Sequence, residues 1–257
     1  MLSAKRKSDA QIVTAYSEPK SSGPFACPKC NEEVLLKIGK QRVNYFAHAN
    51  PISCRNGEGE SEAHRRCKME IFEALRQVSG VRNASLEHQF ELSRADVFVN
   101  IRAIPVAIEV QISSLSVERI MQRTIEYARD GVHVLWLLPW TAKLDAERYV
   151  PTIWEKWIHA AYFGRVYYWT SGLSVVPYRF EESYSIVPRK SWYSKRGQKI
   201  TAGGYARKSE RYRRPVRGAT LNLATDFVPH QRYWWEGGGI KVPDAKLFIG
   251  RDALQRN

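Results

Sequence analysis

The chain has 257 residues, of which 44% are hydrophobic, and a formal net charge of +14. That is enough apolar material for one large domain or a few smaller ones, and the charge excess points to an anionic partner. A membrane-spanning helix is excluded: the longest apolar run, Val132 to Trp140, is broken by His133 and falls short of the roughly 20 residues a bilayer needs.

The opening residues, Met-Leu-Ser-Ala-Lys-Arg-Lys-Ser, have positive charge but no apolar stretch behind them. No secretory signal is therefore expected, and a cytoplasmic setting with thiols or metal ligands rather than disulfides is. From Met1 to about Glu18 the chain is polar and mixed, either loose or with an edge strand over Gln11 to Tyr16. Cys27-Pro28-Lys29-Cys30 then forms a tight knuckle, and a hairpin (Val34 to Ile38, a turn at Gly39, Val43 to Phe46) would return His48 and Cys54 to it. Three cysteines and one histidine at this spacing suit a closed, tetrahedral, structural zinc site without chemistry of its own. The alternative is an ordinary hairpin with free cysteines, which has little core to fold on.

Gly57-Glu58-Gly59 reads as a linker and Ser61 as an N-cap, opening a helix that runs to about Val78. The inward stripe of that helix is His64, Cys67, Lys68, Ile71, Leu75 and Val78, which makes Cys67 a buried thiol. A His–Lys pair on a core-facing stripe is costly without an acid or a phosphate to meet it. Three strands follow, Ala84 to Glu91, Ala95 to Ile101 and Ile104 to Ile112, then a helix from about Ser116 to Arg129 and a buried strand from Val132 to Leu138. Asp96 and Glu109 stand on neighbouring strands in apolar surroundings, and a period of two puts Gln111 on the face of Glu109. Two such carboxylates would repel unless a cation lay between them; the alternative is a pair of strand-end charges facing water.

Pro151 to Phe163 reads as an amphipathic helix, and Val166 to Trp169 with Leu173 to Phe180 as a hairpin. Between Arg189 and Arg217 there are eleven basic residues against one acid, Glu210, and the stretch to about Gly218 reads as poorly ordered in isolation. Aromatic residues are interleaved with the cations: Arg189, Lys190, Trp192, Lys195, Arg196, Arg211, Arg213 and Arg214 suit an arm that neutralises phosphates and stacks on unpaired bases. A solvated basic tail that serves a protein partner is the alternative. Tyr233 to Trp235 and Leu247 to Ile249 could fold back on the rest.

The order αβββαβ, with an acid on the second strand and an acid-x-amide on the third, resembles the restriction-endonuclease-like PD-(D/E)xK nucleases. More closely, the run from Cys27 to Leu138 resembles the competence protein CoiA-like family. The matching residues are Cys27, Cys30, His48 and Cys54, then Gly59-Glu60-Ser61, His64 and Lys68, then Arg94-Ala95-Asp96-Val97 and Ile108 to Gln111 with Ser113. Arg123 and Tyr127, ahead of Trp136, complete the match. The resemblance implies an α/β protein with a zinc-ribbon-like module over 1–57 and a restriction-endonuclease-like core over 58–145; it does not reach the remainder, where the residues themselves give a helix and hairpin over 146–188, packed on or beside that core, and a basic, aromatic-rich C-terminal extension over 189–257.

It further implies a nuclease in which Asp96 and Glu109, helped by the carbonyl of Val110, bind Mg2+ or Mn2+, and DNA is a more natural substrate than RNA. Gln111 stands where the wider superfamily has Lys; it can orient a water but carries no charge. Lys68 could supply that charge, with His64 binding phosphate or moving a proton, or the two could merely neutralise the carboxylates. Glu60 or Glu62 could be the additional helix acid of such nucleases, though helical register turns neither clearly inward. Arg94 and Arg123 would contact nucleic acid. Two other readings remain: a non-catalytic nucleic-acid-binding module, and a subunit that joins other proteins through its C-terminal extension.

Overall fold

The computed structural model describes residues 1–39, 41–50, 54, 60–112 and 115–254. The Gly57–Gly59 linker and Ser113 lie outside the described residues. Among the described residues the architecture is mixed α/β, mostly sheet with three α-helices.

The first module is a five-stranded antiparallel sheet made of β1 (Ser3–Arg6), β2 (Ile12–Thr14), β3 (Phe25–Ala26), β4 (Glu33–Lys37) and β5 (Tyr45–His48), in the order β2-β1-β3-β4-β5. β4 alternates, with Val34 and Leu36 inward and Glu33, Leu35 and Lys37 outward, so one face is buried and one is wet. Val34 and Leu36 join Met1, Ala4, Val13, Phe25 and Phe46 in a small core. The expected edge strand is β2. β1 was not legible, because Ser3-Ala4-Lys5-Arg6 shows no apolar alternation, yet it sits inside the sheet with Met1 and Leu2 buried. Leu2 belongs to the core of the second module, so this segment ties the two together.

The second module begins with α1 (Glu62–Arg76), whose N-cap Ser61 accepts the His64 N–H at 3.2 Å. Then come β6 (Val81–Gln89), β7 (Arg94–Ile101), β8 (Ile104–Val110), α2 (Val117–Arg129, capped by Ser116), β9 (His133–Pro139), α3 (Ile153–Ala161), β10 (Val166–Ser171) and β11 (Ser174–Val187). β6, β7 and β8 form an antiparallel meander; α2 carries the chain over to β9, which pairs parallel with β8. Val106 to Val110 are buried in succession, as a strand covered on both faces requires. α3 starts in a capping box, with Thr152 and Glu155 satisfying each other's backbone N–H groups.

The stretch read as poorly ordered is instead extended: β12 (Lys190–Tyr193) and β13 (Lys199–Ala202) make a hairpin, and β14 (Tyr205–Arg217) pairs antiparallel along β11. Its composition, charged and poor in apolar residues, hid this. β11 continues past the hairpin turn and offers a free edge, so backbone bonding to it replaces the apolar burial that the segment lacks. The main sheet thus reads β14-β11-β10-β9-β8-β7-β6. β15 (Leu221–Asn222) adds to β11; β16 (Phe227–Arg232), β17 (Trp235–Gly237), β18 (Ile240–Val242) and β19 (Ala245–Gly250) complete the chain. β19 lies antiparallel to β16 and touches β9 in parallel at Leu247↔Val134, so Leu247 to Ile249 do fold into the core. Tyr233 and Trp234 instead stay exposed. No helix among the described residues is long and apolar enough to cross a membrane.

Candidate metal centre and cleft

Cys27, Cys30, His48 and Cys54 bring their donor atoms within 4.8 Å of one another, a cluster that could hold a metal such as zinc. Cys27 follows β3, and a turn closed by Asn31 N–H to Cys27 O at 2.9 Å presents Cys30 beside it. His48 ends β5, opposite Val34, with its Nε2 3.5 Å from the Cys30 sulfur. Burial, reinforced by the crowding of Cys27 and Cys54, pushes the Cys30 thiol up to about 11. Thiols packed this closely ionise together only around a cation, so the donor set fits a metal and a closed Cys3His shell would be structural. Cys67 is buried on α1, away from this cluster, and burial raises its thiol to about 11 as well.

Beside the knuckle lies a cleft of about 790 Å3, walled by Pro28 and Lys29 of the knuckle, Glu60 and His64 at the start of α1, Arg94 and Asp96 of β7, Val110 and Gln111 at the end of β8, and Arg119 and Arg123 of α2. The ladder between β7 and β8 stops at Val97↔Ile108, and beyond that pair the Asp96 carboxylate accepts the Val110 N–H at 3.0 Å. Its Oδ2 also lies 3.1 Å from His64 Nε2, and its Oδ1 lies 3.6 Å from Lys68 Nζ. Burial opposes charge on Asp96, but Lys68, His64 and Arg123 outweigh it and hold the carboxyl well below the usual range.

Lys68 is fully buried and does not line the cleft. Its ammonium meets Glu60 and Glu87 (2.9 Å) as well as Asp96, and these three acids raise its pKa despite burial. Glu87 also accepts from the backbone and hydroxyl of Ser3, both at 3.1 Å, so β1 docks on this network. Glu87 escaped the sequence reading because it stands among polar residues, Ser85, His88 and Gln89, where Asp96 and Glu109 stand in apolar runs. Here a φ of 53°, unusual for a residue with a side chain, re-aims it. The unmet need of Lys68 for acids was the available signal. Of the two helix acids considered, Glu60 is the one turned inward, lying 3.5 Å from His64 Nδ1. It precedes the N-cap, so helical register never governed it. Glu62 faces outward to Arg65 and the Val43 N–H.

Glu109 is held differently. Its side chain is 1% exposed, it accepts from Arg123 and Tyr127, and it is absent from the cleft wall. Burial, only partly offset by Arg123, raises its carboxyl to about 7. Arg123 bridges onward to the Arg94 carbonyl at 2.8 Å and so stands between Glu109 and the cleft. Gln111 is buried at the cleft wall, its N–H on Leu137 O at 2.8 Å. The Cys/His cluster is the group of three or more ligands that converges among the described residues; Asp96 and Glu109 do not form a second. Arg94 and Arg123 reach the cleft, while Arg189, Lys190, Trp192, Lys195, Arg196, Arg211, Arg213 and Arg214 belong to the β12–β14 region, outside its walls.

Comparison with known proteins returns two family models. The one described as competence protein CoiA, N-terminal domain, matches residues 9–57. The one described as competence protein CoiA, nuclease-like domain, matches residues 60–154. Competence protein CoiA of Bacillus subtilis (strain 168) is 29% identical over 119 residues, which covers 44% of this chain and 31% of that protein. The chain thus matches under a third of that relative's length. No solved structure matches.

Proposed function

We propose, for a chain that belongs to the competence protein CoiA family, that the cleft around Asp96 hydrolyses phosphodiester bonds of DNA with the help of Mg2+ or Mn2+, in DNA uptake, recombination or defence. One observation carries the reading: an ionised carboxylate, Asp96, opens into a cleft whose walls carry four cations, Lys29, Arg94, Arg119 and Arg123, along with the acids Glu60 and Glu91. Those cations suit a phosphate, and the carboxylate of Asp96 repels it unless a divalent cation lies between. Asp96 and Glu109, with the Val110 carbonyl, would hold that ion, which would polarise the phosphate and lower the pKa of an attacking water. The succession α1, β6 to β8, α2, β9 supports a restriction-endonuclease-like core. The Cys/His cluster would carry structural zinc.

The chain's own residues have distinct tasks in this reading. Lys68, beneath Asp96, keeps it ionised and fixed; it is a positioning residue, since Asp96 separates it from the cleft. The charge opposite the phosphate would fall to Arg123, which lines the cleft and is paired with Glu109 behind it. His64, between Asp96 and Glu60, takes or gives a proton at Nε2 or Nδ1. Gln111 orients water through its amide. The β12–β14 cations grip the strand, and the same surface could seat other protein subunits.

A binding module without catalysis is the second reading, favoured by the fact that each acid already has an internal partner: Lys68 for Asp96, Arg123 and Tyr127 for Glu109. The two are separated by incubating labelled single- and double-stranded DNA with the protein and Mn2+ or Mg2+. Nuclease action predicts cleavage that Asp96→Asn reduces by about a hundredfold or more. Binding without metal-dependent cleavage of any substrate leaves the module reading.

A further inference from the structure

A second hollow, of about 600 Å3, opens between α3, β14 and the β16–β18 segment, and its walls share no residue with the Asp96 cleft. Lys156, Arg213 and Arg232 line it, and no carboxylate does among the described residues. The nearest candidate on α3, Glu155, is taken up by Thr152, Tyr149 and Tyr168. Arg213 donates one guanidinium nitrogen to the carbonyls of Ser209, Glu210 and Tyr212 and pairs with neutral groups there. Arg232 lies 4.3 Å over the Phe163 ring and 5.8 Å from the Trp235 ring, and its Nε is buried with no partner among the described residues. Burial without a compensating acid lowers the pKa of Arg232. Among the described residues, one of its terminal guanidinium nitrogens reaches only the Ala160 carbonyl, at 3.5 Å, so three cations that repel each other and one buried unpaired donor make the hollow suited to an anion.

The other walls specify what kind. The Phe180 ring is stacked on Tyr149 and His159 and the Phe163 ring lies under Arg232, whereas Trp235, also on the wall, is 38% exposed. Cations beside aromatic faces match a phosphate attached to a planar base, and the volume falls in the range of small-ligand sites. Arg213 belongs both to this hollow and to β14, the strand that carries the basic run. We propose that this pocket binds a nucleoside phosphate, with its phosphate among Lys156, Arg213 and Arg232 and its base against Trp235, and that continuity with β14 makes an unpaired nucleotide of a DNA strand its natural occupant. This site is independent of cleavage at Asp96.

The test uses the full chain carrying Asp96→Asn, so that cleavage cannot interfere. Binding of a fluorescent single-stranded oligonucleotide is followed by anisotropy, with free adenosine 5′-monophosphate and inorganic phosphate as competitors. Trp235→Ala and Lys156→Glu, both at exposed side chains, should each weaken oligonucleotide binding about tenfold while leaving thermal unfolding unchanged. Competition by the monophosphate identifies a pocket that accepts the free nucleotide as well. Its failure, with the mutational losses intact, restricts the pocket to strand-borne nucleotides. If neither substitution changes binding, or if inorganic phosphate competes as well as the nucleotide, the proposal is wrong.

Discussion

Lys68 and Arg214 are both cations set beside carboxylates, and they live in different media. Lys68 is 0% exposed and faces Glu60, Glu87 and Asp96. Arg214 on β14 meets Glu181 with 61% of its side chain in solvent. Below the cleft the dielectric is low and every charge must be matched, so the network fixes where Asp96 stands. On β14 water does most of the matching, the ion pairs contribute little, and the cations remain available to an outside anion. A basic residue in the sequence is therefore no measure of affinity for nucleic acid until its burial is known.

The strongest way to break this contrast is Lys68→Met. It leaves buried Glu87 and the cleft acids Glu60 and Asp96 without their shared cation and should cost about 3–5 kcal/mol in urea unfolding; a cost below about 1 kcal/mol would show that water reaches the network. A pH titration sharpens the same side. The Glu109 carboxyl titrates near 7 in the folded chain and in the ordinary acidic range when unfolded. Between those values the folded state keeps a proton that the unfolded chain has released, so stability should fall as pH rises through that window. Asp96, whose pKa is lowered, acts with the opposite sign: its contribution is lost as pH falls into the acid range. Glu109→Gln should flatten the decline toward pH 7 in melting temperatures measured against pH, and an unaltered profile would show that another group is responsible. The smallest stability effect belongs to β14. Arg211→Ala with Arg214→Ala should change stability by no more than about 0.5 kcal/mol. It should still reduce the slope of log affinity for duplex DNA against log salt by about 0.9 for each phosphate that is no longer neutralised. An unchanged slope would remove β14 from the interface.

Much of this was legible where local rules and burial agree. Ser61 and Ser116 announced α1 and α2, and the apolar runs announced β7, β8 and β9 to within about two residues. The Cys27-Pro28-Lys29-Cys30 knuckle, with His48 and Cys54, announced the Cys/His cluster that could hold a metal. The misses occur where tertiary contacts decide. β1 and β14 are polar segments made extended by a neighbouring strand edge. Glu87 is an acid whose partner, Lys68, lies on another element, and the same partner is what distinguishes Glu60 from Glu62, the two helix acids considered. Arg123 and Tyr127 were visible only through resemblance, and their hold on Glu109 depends on how α2 sits over β8.

The edge of β9 that faces away from β8 is closed by two different strands: β10 at Leu137 to Pro139 and β19 at Val134. Both lie beyond residue 154, where the nuclease-like match ends. A fragment trimmed to the matched limits would bare a greasy, unpaired strand and invite self-association. Glu109 stands one strand away, on β8 opposite Trp136, so whatever is laid along this edge of β9 also helps to hold that carboxylate still.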